Sequence, residues 1–144
     1  MKKQNLLLAL MLSMTVRAFA VEAEINGLWY ELVSEPKEAT VIQYKNSVKY
    51  SVDIVIPATV AYEGADYSVT SIGGDAFRYC SGLTTVTIPN SMTSIGYLAF
   101  ESCSGLTFIS IGSGVKIIDE NAFANCPELT DVYCYAENVP STET

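Results

Sequence analysis

The sequence predicts one domain of stacked repeats, built from short parallel strands joined by tight turns. A 23-residue unit occurs three times without a gap, beginning at Val69, Met92 and Val115. A unit of this length cannot bury its own apolar face and has to stack on its neighbours. At 144 residues, the chain is long enough for one continuous core. We therefore expect a repeat solenoid preceded by a β-rich segment.

The apolar residues of the three units recur in fixed columns, and these columns are the predicted core. The shared residues are Ile72, Ile95 and Ile118; Ala76-Phe77, Ala99-Phe100 and Ala122-Phe123; Cys80, Cys103 and Cys126; and Leu83, Leu106 and Leu129. Because neighbouring repeats align their columns, the three phenylalanine rings should stack as a spine rather than form a ligand platform.

Each repeat is predicted to contain two extended pieces with a turn between them. Leu83–Ile88 alternates apolar and hydroxyl residues, as a strand with one buried face does. Ser71-Ile72-Gly73 marks the second extended piece. Between them, the spacing in Ala76-Phe77-x-x-Cys80 suits one helical turn or a 3₁₀ turn.

Residues 24–68 do not follow the period and are predicted to form a β-rich cap over the first repeat. Strand-like stretches run over Ile25–Leu32 and Ala39–Tyr44, with a turn between them. A third stretch alternates up to Pro57, and its inward residues are predicted to be Val48, Tyr50, Val52, Ile54 and Ile56.

The N-terminus has the parts of a secretory signal peptide. Two lysines precede an apolar stretch from Leu6 to Val16. Ala18 and Ala20 are small residues at the positions that a signal peptidase recognises, and Ala23 is a second candidate cut. An uncleaved anchor is the alternative, although this stretch is too short to span a membrane.

The charge balance limits the classes of partner. The chain carries 8 basic and 16 acidic residues, a net charge of −8. Residues 1–20 hold three of the basic residues and none of the acids, so their removal leaves five against sixteen, or −11. Nucleic acids and anionic membrane surfaces require clustered Lys and Arg, so neither is predicted as a partner.

The four cysteines are predicted to be free thiols rather than bridges. Cys80, Cys103 and Cys126 share one column, where parallel neighbours lie about 4.8 Å apart, beyond the Cβ spacing of about 3.8 Å that a disulfide prefers. Cys134 replaces a core isoleucine and is predicted to be a small buried hydrophobe. Disulfides remain the alternative, and zinc is disfavoured because the chain contains no histidine.

No catalytic arrangement is predicted. The absence of histidine excludes the usual Ser-His-Asp and Cys-His sites. A glycosidase would need two carboxylates in one cleft, but the candidates Asp75, Asp119, Glu120 and Asp131 occupy unlike repeat positions. We therefore expect a non-enzymatic protein without metal or cofactor, and a secreted hydrolase is the least favoured alternative.

The first repeat carries a family resemblance. Val69–Pro89 follows the pattern V-x-S-I-G-x-x-A-F-x-x-C-x-x-L-T-x-V-x-I-P, which closely resembles the leucine-rich repeats of the BspA-like class. These repeats are common in exported proteins of Bacteroides-type bacteria. The later repeats depart from the pattern at Gly112, Asp119, Cys134 and Tyr135. The resemblance implies a leucine-rich-repeat solenoid of the α/β right-handed superhelix type, a role in adhesion at the bacterial surface, and no catalytic activity.

These observations divide the chain into four predicted segments. They are a signal peptide at 1–20, a β-rich N-terminal cap at 21–68, three repeats at 69–137, and the start of a truncated further repeat or connection at 138–144. A stack that ended there would expose the edge of its last strand. We expect either a fragment of a longer protein or closure by a partner, and self-association through this end is one form of such closure.

The residues left for function point away from the core on the repeat strands. Alternation places them in two rows, Thr85, Phe108 and Asp131 in one and Thr87, Ser110 and Tyr133 in the other. The hypothesis is a secreted or surface-displayed binding module that contacts a protein or carbohydrate on a host or neighbouring cell. The alternative is a structural spacer in a longer surface protein, in which these residues only favour strand and solubility.

Overall fold

The computed structural model describes residues 19–44, 49–137 and 141. Most of the predicted signal peptide and of the predicted final segment lie outside the described residues, as does Val48. The described part of the chain consists of strands and turns without a helix. The strands are β1 (Ala20–Ile25), β2 (Leu28–Val33), β3 (Glu38–Val41), β4 (Ser51–Val55), β5 (Thr59–Tyr62), β6 (Ala65–Ile72), β7 (Gly82–Ile88), β8 (Ser94–Ile95), β9 (Phe108–Ile111), β10 (Ile117–Ile118) and β11 (Asp131–Cys134).

The strands form two sheets, and the repeats contribute one parallel strand to each. One sheet has the order β1-β2-β3-β6-β8-β10, with β5 also paired to β6, and the other has the order β4-β7-β9-β11. In the four-stranded sheet, Thr85 lies beside Phe108, and Phe108 lies beside Asp131. In the larger sheet, Ser71 lies beside Ser94. Each of these steps equals the 23-residue period, so the repeat in the sequence sets the register of both sheets.

The segment that precedes the repeats extends both sheets by one further strand. Strand β3 pairs in parallel with β6, and β4 pairs in parallel with β7. Residues 38–55 thus occupy the position of an additional repeat, although their sequence does not follow the period. Strands β1 and β2 add an antiparallel edge to the larger sheet, and β5 pairs antiparallel with β6.

The predicted single strand Ile25–Leu32 is wrong, because the chain reverses inside it. Asn26 and Gly27 have φ values of 50° and 84°, and Ile25 pairs directly with Leu28. Positive φ at both central residues defines the two-residue turn that matches the twist of a hairpin, and Asn-Gly is its preferred sequence. The stretch therefore becomes the hairpin β1–β2.

Val52 departs from the alternation predicted for the third stretch. Its side chain is 67% exposed, whereas Ile54 and Ile56 are buried as expected. The backbone at Val52 has a φ of 70°, and the register between β4 and β7 shifts between Val52 and Ile54. This bulge turns the Val52 side chain outward, and the predicted alternation resumes at Ile54.

A row of aromatic rings runs through the core between the two sheets. Phe77 and Phe100 stack at 4.9 Å between ring centroids, and Phe100 and Phe123 stack at 5.2 Å, with planes within 5° of parallel. Tyr50 continues the row at 5.0 Å from Phe77. Burial raises the pKa of Tyr50 to about 12, and its hydroxyl donates to the carbonyl of Ile42. The row therefore joins the repeats to the segment before them.

The turn between the two strands of a repeat contains single hydrogen bonds of the 3₁₀ type, from the N–H of Arg78 to Asp75 and from the N–H of Cys80 to Phe77. The described residues form no continuous helix there, so the predicted helical turn and the α/β description are not confirmed. Asp75 and Tyr79 adopt left-handed φ values of 58° and 59°, which interrupt any helix. The N–H of Phe77 donates instead to the carbonyl of Ala99 in the next repeat, at 2.7 Å. These turns thus form a third ladder of hydrogen bonds between repeats.

The cysteine column contains free thiols, as predicted. Cys80 and Cys103 are buried, and the Cys103 thiol donates to the carbonyl of Phe77 at 3.0 Å. The Cys126 thiol makes the same bond to Phe100 at 3.1 Å. The thiols of Cys103 and Cys126 therefore each link their own repeat to the one before. Cys134 corrects the expectation of a buried hydrophobe, since it is exposed on β11, over which the described residues place no further strand.

Candidate functional site

The outward side chains of the four-stranded sheet form one continuous surface, which we call the outer face. Its members are Asp53 and Val55 on β4, Thr85 and Thr87 on β7, Phe108 and Ser110 on β9, and Asp131 and Tyr133 on β11. On β7, the neighbours Val86 and Ile88 are buried, so the alternation of the strand separates the face from the core.

The structure brings the six sequence-predicted residues together in two rows. Thr85, Phe108 and Asp131 lie side by side on successive strands. The second row consists of Thr87, Ser110 and Tyr133. Because adjacent strands lie about 4.8 Å apart, each row is short enough for one ligand to contact all of its members.

An aromatic pair lies at the β9–β11 end of this surface. The rings of Phe108 and Tyr133 lie 5.6 Å apart with planes inclined by 38°. Phe108 is partly buried, and Tyr133 is 52% exposed. The pair therefore presents apolar ring surface to solvent beside small hydroxyl side chains. A sheet surface that served solubility alone would not require two adjacent rings.

Carboxylates lie at both ends of the first row. Asp53 accepts a hydrogen bond of 2.7 Å from the Thr84 hydroxyl. Hydrogen bonds from Thr84 and, to a smaller extent, from Thr85 lower the pKa of Asp53, so this carboxyl group stays ionised. At the other end, Asp131 is exposed and accepts a hydrogen bond of 3.0 Å from Thr130.

Asp53 and Val55 belong to this surface but are absent from the sequence prediction. Val55 is 72% exposed and lies beside Thr87 in the register. A signal for both was present, because they alternate with the inward residues Ile54 and Ile56. What the sequence did not provide was the pairing of β4 with β7, since β4 lies outside the repeat period.

The turns between the two strands of the first and second repeats carry an ion-pair cluster. The Arg78 guanidinium contacts Glu101 at 2.6 Å and Asp75 at 2.9 Å. The pKa of Glu101 is lowered chiefly by its hydrogen bond from Arg78. Arg78 also covers the ring of Tyr79 at 4.8 Å. Arg78 and Glu101 are 23 residues apart and occupy one column, so the cluster is a contact between repeats.

The two carboxylates that the ion-pair cluster brings together, Asp75 and Glu101, share the Arg78 guanidinium. Of the four candidate acids, Asp75 is held by Arg78, and Asp131 lies on the outer face. The two carboxyl groups with displaced pKa values, Asp53 and Glu101, both have them lowered, whereas a general acid requires a raised value. The described residues also contain no group of three or more potential metal ligands and no helix that could cross a membrane.

Comparison with protein families gives a match over the repeats. The profile of the BspA type leucine rich repeat region matches residues 64–143 in six copies. No curated protein matches the chain. The matched range covers more than half of the 144 residues and includes every strand from β6 onwards.

Solved structures of bacterial leucine-rich repeat proteins are similar to this chain. A leucine-rich repeat protein from Bacteroides capillosus is 32% identical with a TM-score of 0.72, over 85% of this chain and 87% of that one. A leucine rich cell surface protein from Faecalibacterium prausnitzii is 31% identical with a TM-score of 0.65, over 77% of this chain and 30% of that one. The leucine rich repeat protein of T. pallidum is 25% identical with a TM-score of 0.64, over 78% and 49%. The chain thus spans less than half the length of the last two proteins.

Proposed function

The chain belongs to the BspA-type leucine-rich repeat family, and on this premise we propose that it is a non-enzymatic binding module. It acts outside the bacterial cell, secreted or displayed at the surface, and contacts a macromolecule of a host or neighbouring cell. The contact surface is the outer face of the four-stranded sheet.

One observation carries this proposal: the aromatic pair of Phe108 and Tyr133 lies in columns where the repeats differ. The first repeat has Thr85 and Thr87 at the corresponding positions. Residues that the stack requires recur in every repeat, as the phenylalanines of the spine do. The two rings of the outer face do not recur, and their centroids lie 5.6 Å apart on an accessible surface. Aromatic side chains are enriched at the centres of protein interfaces.

The repeats are further proposed to form a right-handed solenoid, with its cap at 21–68 and its repeats at 69–137. The equal 23-residue steps in both parallel ladders support a continuous superhelix. A leucine rich protein of F. prausnitzii that resembles this chain is named a cell surface protein, which supports an extracellular location. N-terminal sequencing of the protein from culture medium tests export: it should begin at Val21, or at Glu24 if cleavage follows Ala23.

The second candidate function is a structural spacer within a longer surface protein. The match to only 30% of the F. prausnitzii protein favours it, because a repeat region can form a minor part of such a chain. Self-association is a further proposal for the edge of β11, over which the described residues place no strand and where Val132 is 54% exposed and Cys134 is exposed. Sedimentation over a range of concentrations tests it, since the wild type should dimerise and a Val132→Lys variant should not.

The experiment that separates binding module from spacer replaces Phe108 and Tyr133 by serine. The double variant should lose attachment to host cells or immobilised matrix proteins while keeping its thermal unfolding midpoint. Tyr79 and Tyr97 provide a matched control, since each is 51% exposed, compared with 52% for Tyr133, but lies in the turn between the two strands of its repeat. Their double serine variant should attach as the wild type does. Equal attachment by both double variants and the wild type would support the spacer and refute the binding face.

A further inference from the structure

We propose that the outer face recognises a cationic polypeptide segment, one that places a lysine or arginine side chain over the rings of Phe108 and Tyr133. This inference rests on the proposed function and specifies the chemistry of its partner. The recognising groups are the aromatic pair and the carboxylates of Asp131 and Asp53.

The register assembles a cation-binding patch from two adjacent strands. Asp131 lies directly beside Phe108 on the neighbouring strand, about 4.8 Å away in the backbone. Tyr133 lies two residues further along on the same side, and its ring contacts that of Phe108 at 5.6 Å. Ammonium and guanidinium groups bind the faces of aromatic rings within about 6 Å of the centroid. One cation can therefore contact a ring face and the Asp131 carboxylate together.

The charges of the surface favour a cation over a neutral or anionic ligand. The four described strands that build the outer face contain no lysine or arginine. The hydrogen bonds that Asp53 accepts from Thr84 and Thr85 maintain its negative charge. The whole chain is acidic, with a net charge of −8, which attracts basic partners over distances beyond contact.

The spacing of the two carboxylates predicts the spacing of the cations. Asp53 on β4 and Asp131 on β11 are separated by three strand intervals, or about 14 Å. An extended peptide advances about 3.3 Å per residue and directs alternate side chains to one side. Two basic residues four positions apart thus span about 13 Å on one side of the peptide. A segment of the form basic-x-x-x-basic, crossing the strands, would reach both ends of the row.

A neutral carbohydrate is the competing ligand, and the structure favours it less. The rings of Phe108 and Tyr133 are inclined by 38° and do not form one flat platform for a sugar ring. A neutral sugar would bind equally well to a surface that carried basic residues, whereas the described strands of this face contain none. The two ligands differ in their response to salt, because only the charged contact is screened.

The test titrates the full chain with a capped peptide that carries lysines at its second and sixth positions, separated by glycine and serine. A second peptide has norleucine in place of both lysines. The lysine peptide should shift the NMR signals of the outer face, and the norleucine peptide should not. Raising the salt concentration from about 0.05 M to about 0.5 M should weaken the binding severalfold.

Asp131→Asn should weaken binding of the lysine peptide about fivefold, as expected for one exposed charge pair. Glu128→Gln is the matched control: it removes one exposed acid that is not on the four strands of the face, and it should bind as the wild type does. Equal binding of the two peptides, equal weakening by the two variants, or saturable binding of a neutral oligosaccharide alone would overturn the inference.

The same variants separate this inference from the proposed function. If Asp131→Asn attaches to host cells as the wild type does while the Phe108→Ser/Tyr133→Ser variant does not, the face binds a partner but its cationic character is refuted. If all of these variants attach equally, both proposals fail.

Discussion

Replacing Phe100 by alanine should destabilise the protein more than the same change at Phe123. Phe100 is fully buried and stacks on both sides, at 4.9 Å from Phe77 and 5.2 Å from Phe123. Truncating a buried phenylalanine costs about 3–5 kcal/mol, and each stacked pair adds about 0.5–1.5 kcal/mol beyond its area. With two such pairs, Phe100→Ala should lie near the upper limit, at about 4–5 kcal/mol.

Phe123 provides the internal comparison for this prediction. Its ring is only partly buried and stacks on one neighbour, so Phe123→Ala should cost about half as much, or about 2 kcal/mol. Urea unfolding followed by circular dichroism gives both free energies of unfolding, provided that the slopes with denaturant agree. Equal losses for the two variants, or a loss below about 2 kcal/mol for Phe100→Ala, would refute the argument that the stacked rings hold successive repeats together.

Three further predictions concern the contacts between repeats. Gly96→Ala should lower the free energy of unfolding by about 2 kcal/mol, because its new Cβ would lie 2.7 Å from the backbone nitrogen of Gly74. Gly74→Ala is the control: its Cβ would lie 3.4 Å from the carbonyl oxygen of Tyr97, so it should leave the free energy of unfolding nearly unchanged in the same urea titration. Alkylation of the native protein should label Cys134 and spare Cys103, which is buried and has its thiol pKa raised to about 12; mass spectrometry showing equal labelling would contradict this. The pKa of Glu101 is lowered by its ion pair, so its contribution to stability is present above its unfolded pKa of about 4.3 and is lost as the pH falls through the lower folded value. Glu101→Gln should therefore make the melting temperature fall less steeply as the pH is lowered into the acid range. An unchanged pH dependence of the melting temperature would contradict this assignment.

The repeat region was predictable from the sequence because every repeat solves the same packing problem. A column such as Ile72 and Ile95 repeats at a fixed offset, and parallel neighbours keep that offset as their register. The family resemblance inferred from Val69–Pro89 is confirmed by the match over residues 64–143. The same offset also relates Arg78 to Glu101, so this ion pair could have been found by reading the columns for opposite charges.

The segment before the repeats was less predictable because its structure depends on single residues. The Asn26-Gly27 turn carries a recognisable signal, but the apolar residues around it favoured one long strand. The outward position of Val52 depends on a bulge and a φ of 70°, for which its β-branched side chain gives no indication. The pairing of β4 with β7 could not be derived from a period that this segment does not share.

The outer face was predicted in outline, because strand alternation alone assigns its six residues on β7, β9 and β11. The contact between Phe108 and Tyr133 requires the register, which places them diagonally on adjacent strands. The position of Asp53 at the far end of the row requires the bulged pairing of β4. The binding role of the face remains a prediction.

We propose a division of roles in which the recurring residues hold the fold and the differing residues on the outer face bind the partner. Hydroxyl-radical footprinting of the chain, free and attached to host cells, tests it within one sample, because exposed aromatic rings are oxidised in proportion to their accessibility. Attachment should protect Phe108 and Tyr133 while leaving the oxidation of Tyr79 and Tyr97 unchanged. Protection of the turn tyrosines with unchanged oxidation of Phe108 and Tyr133 would contradict the account.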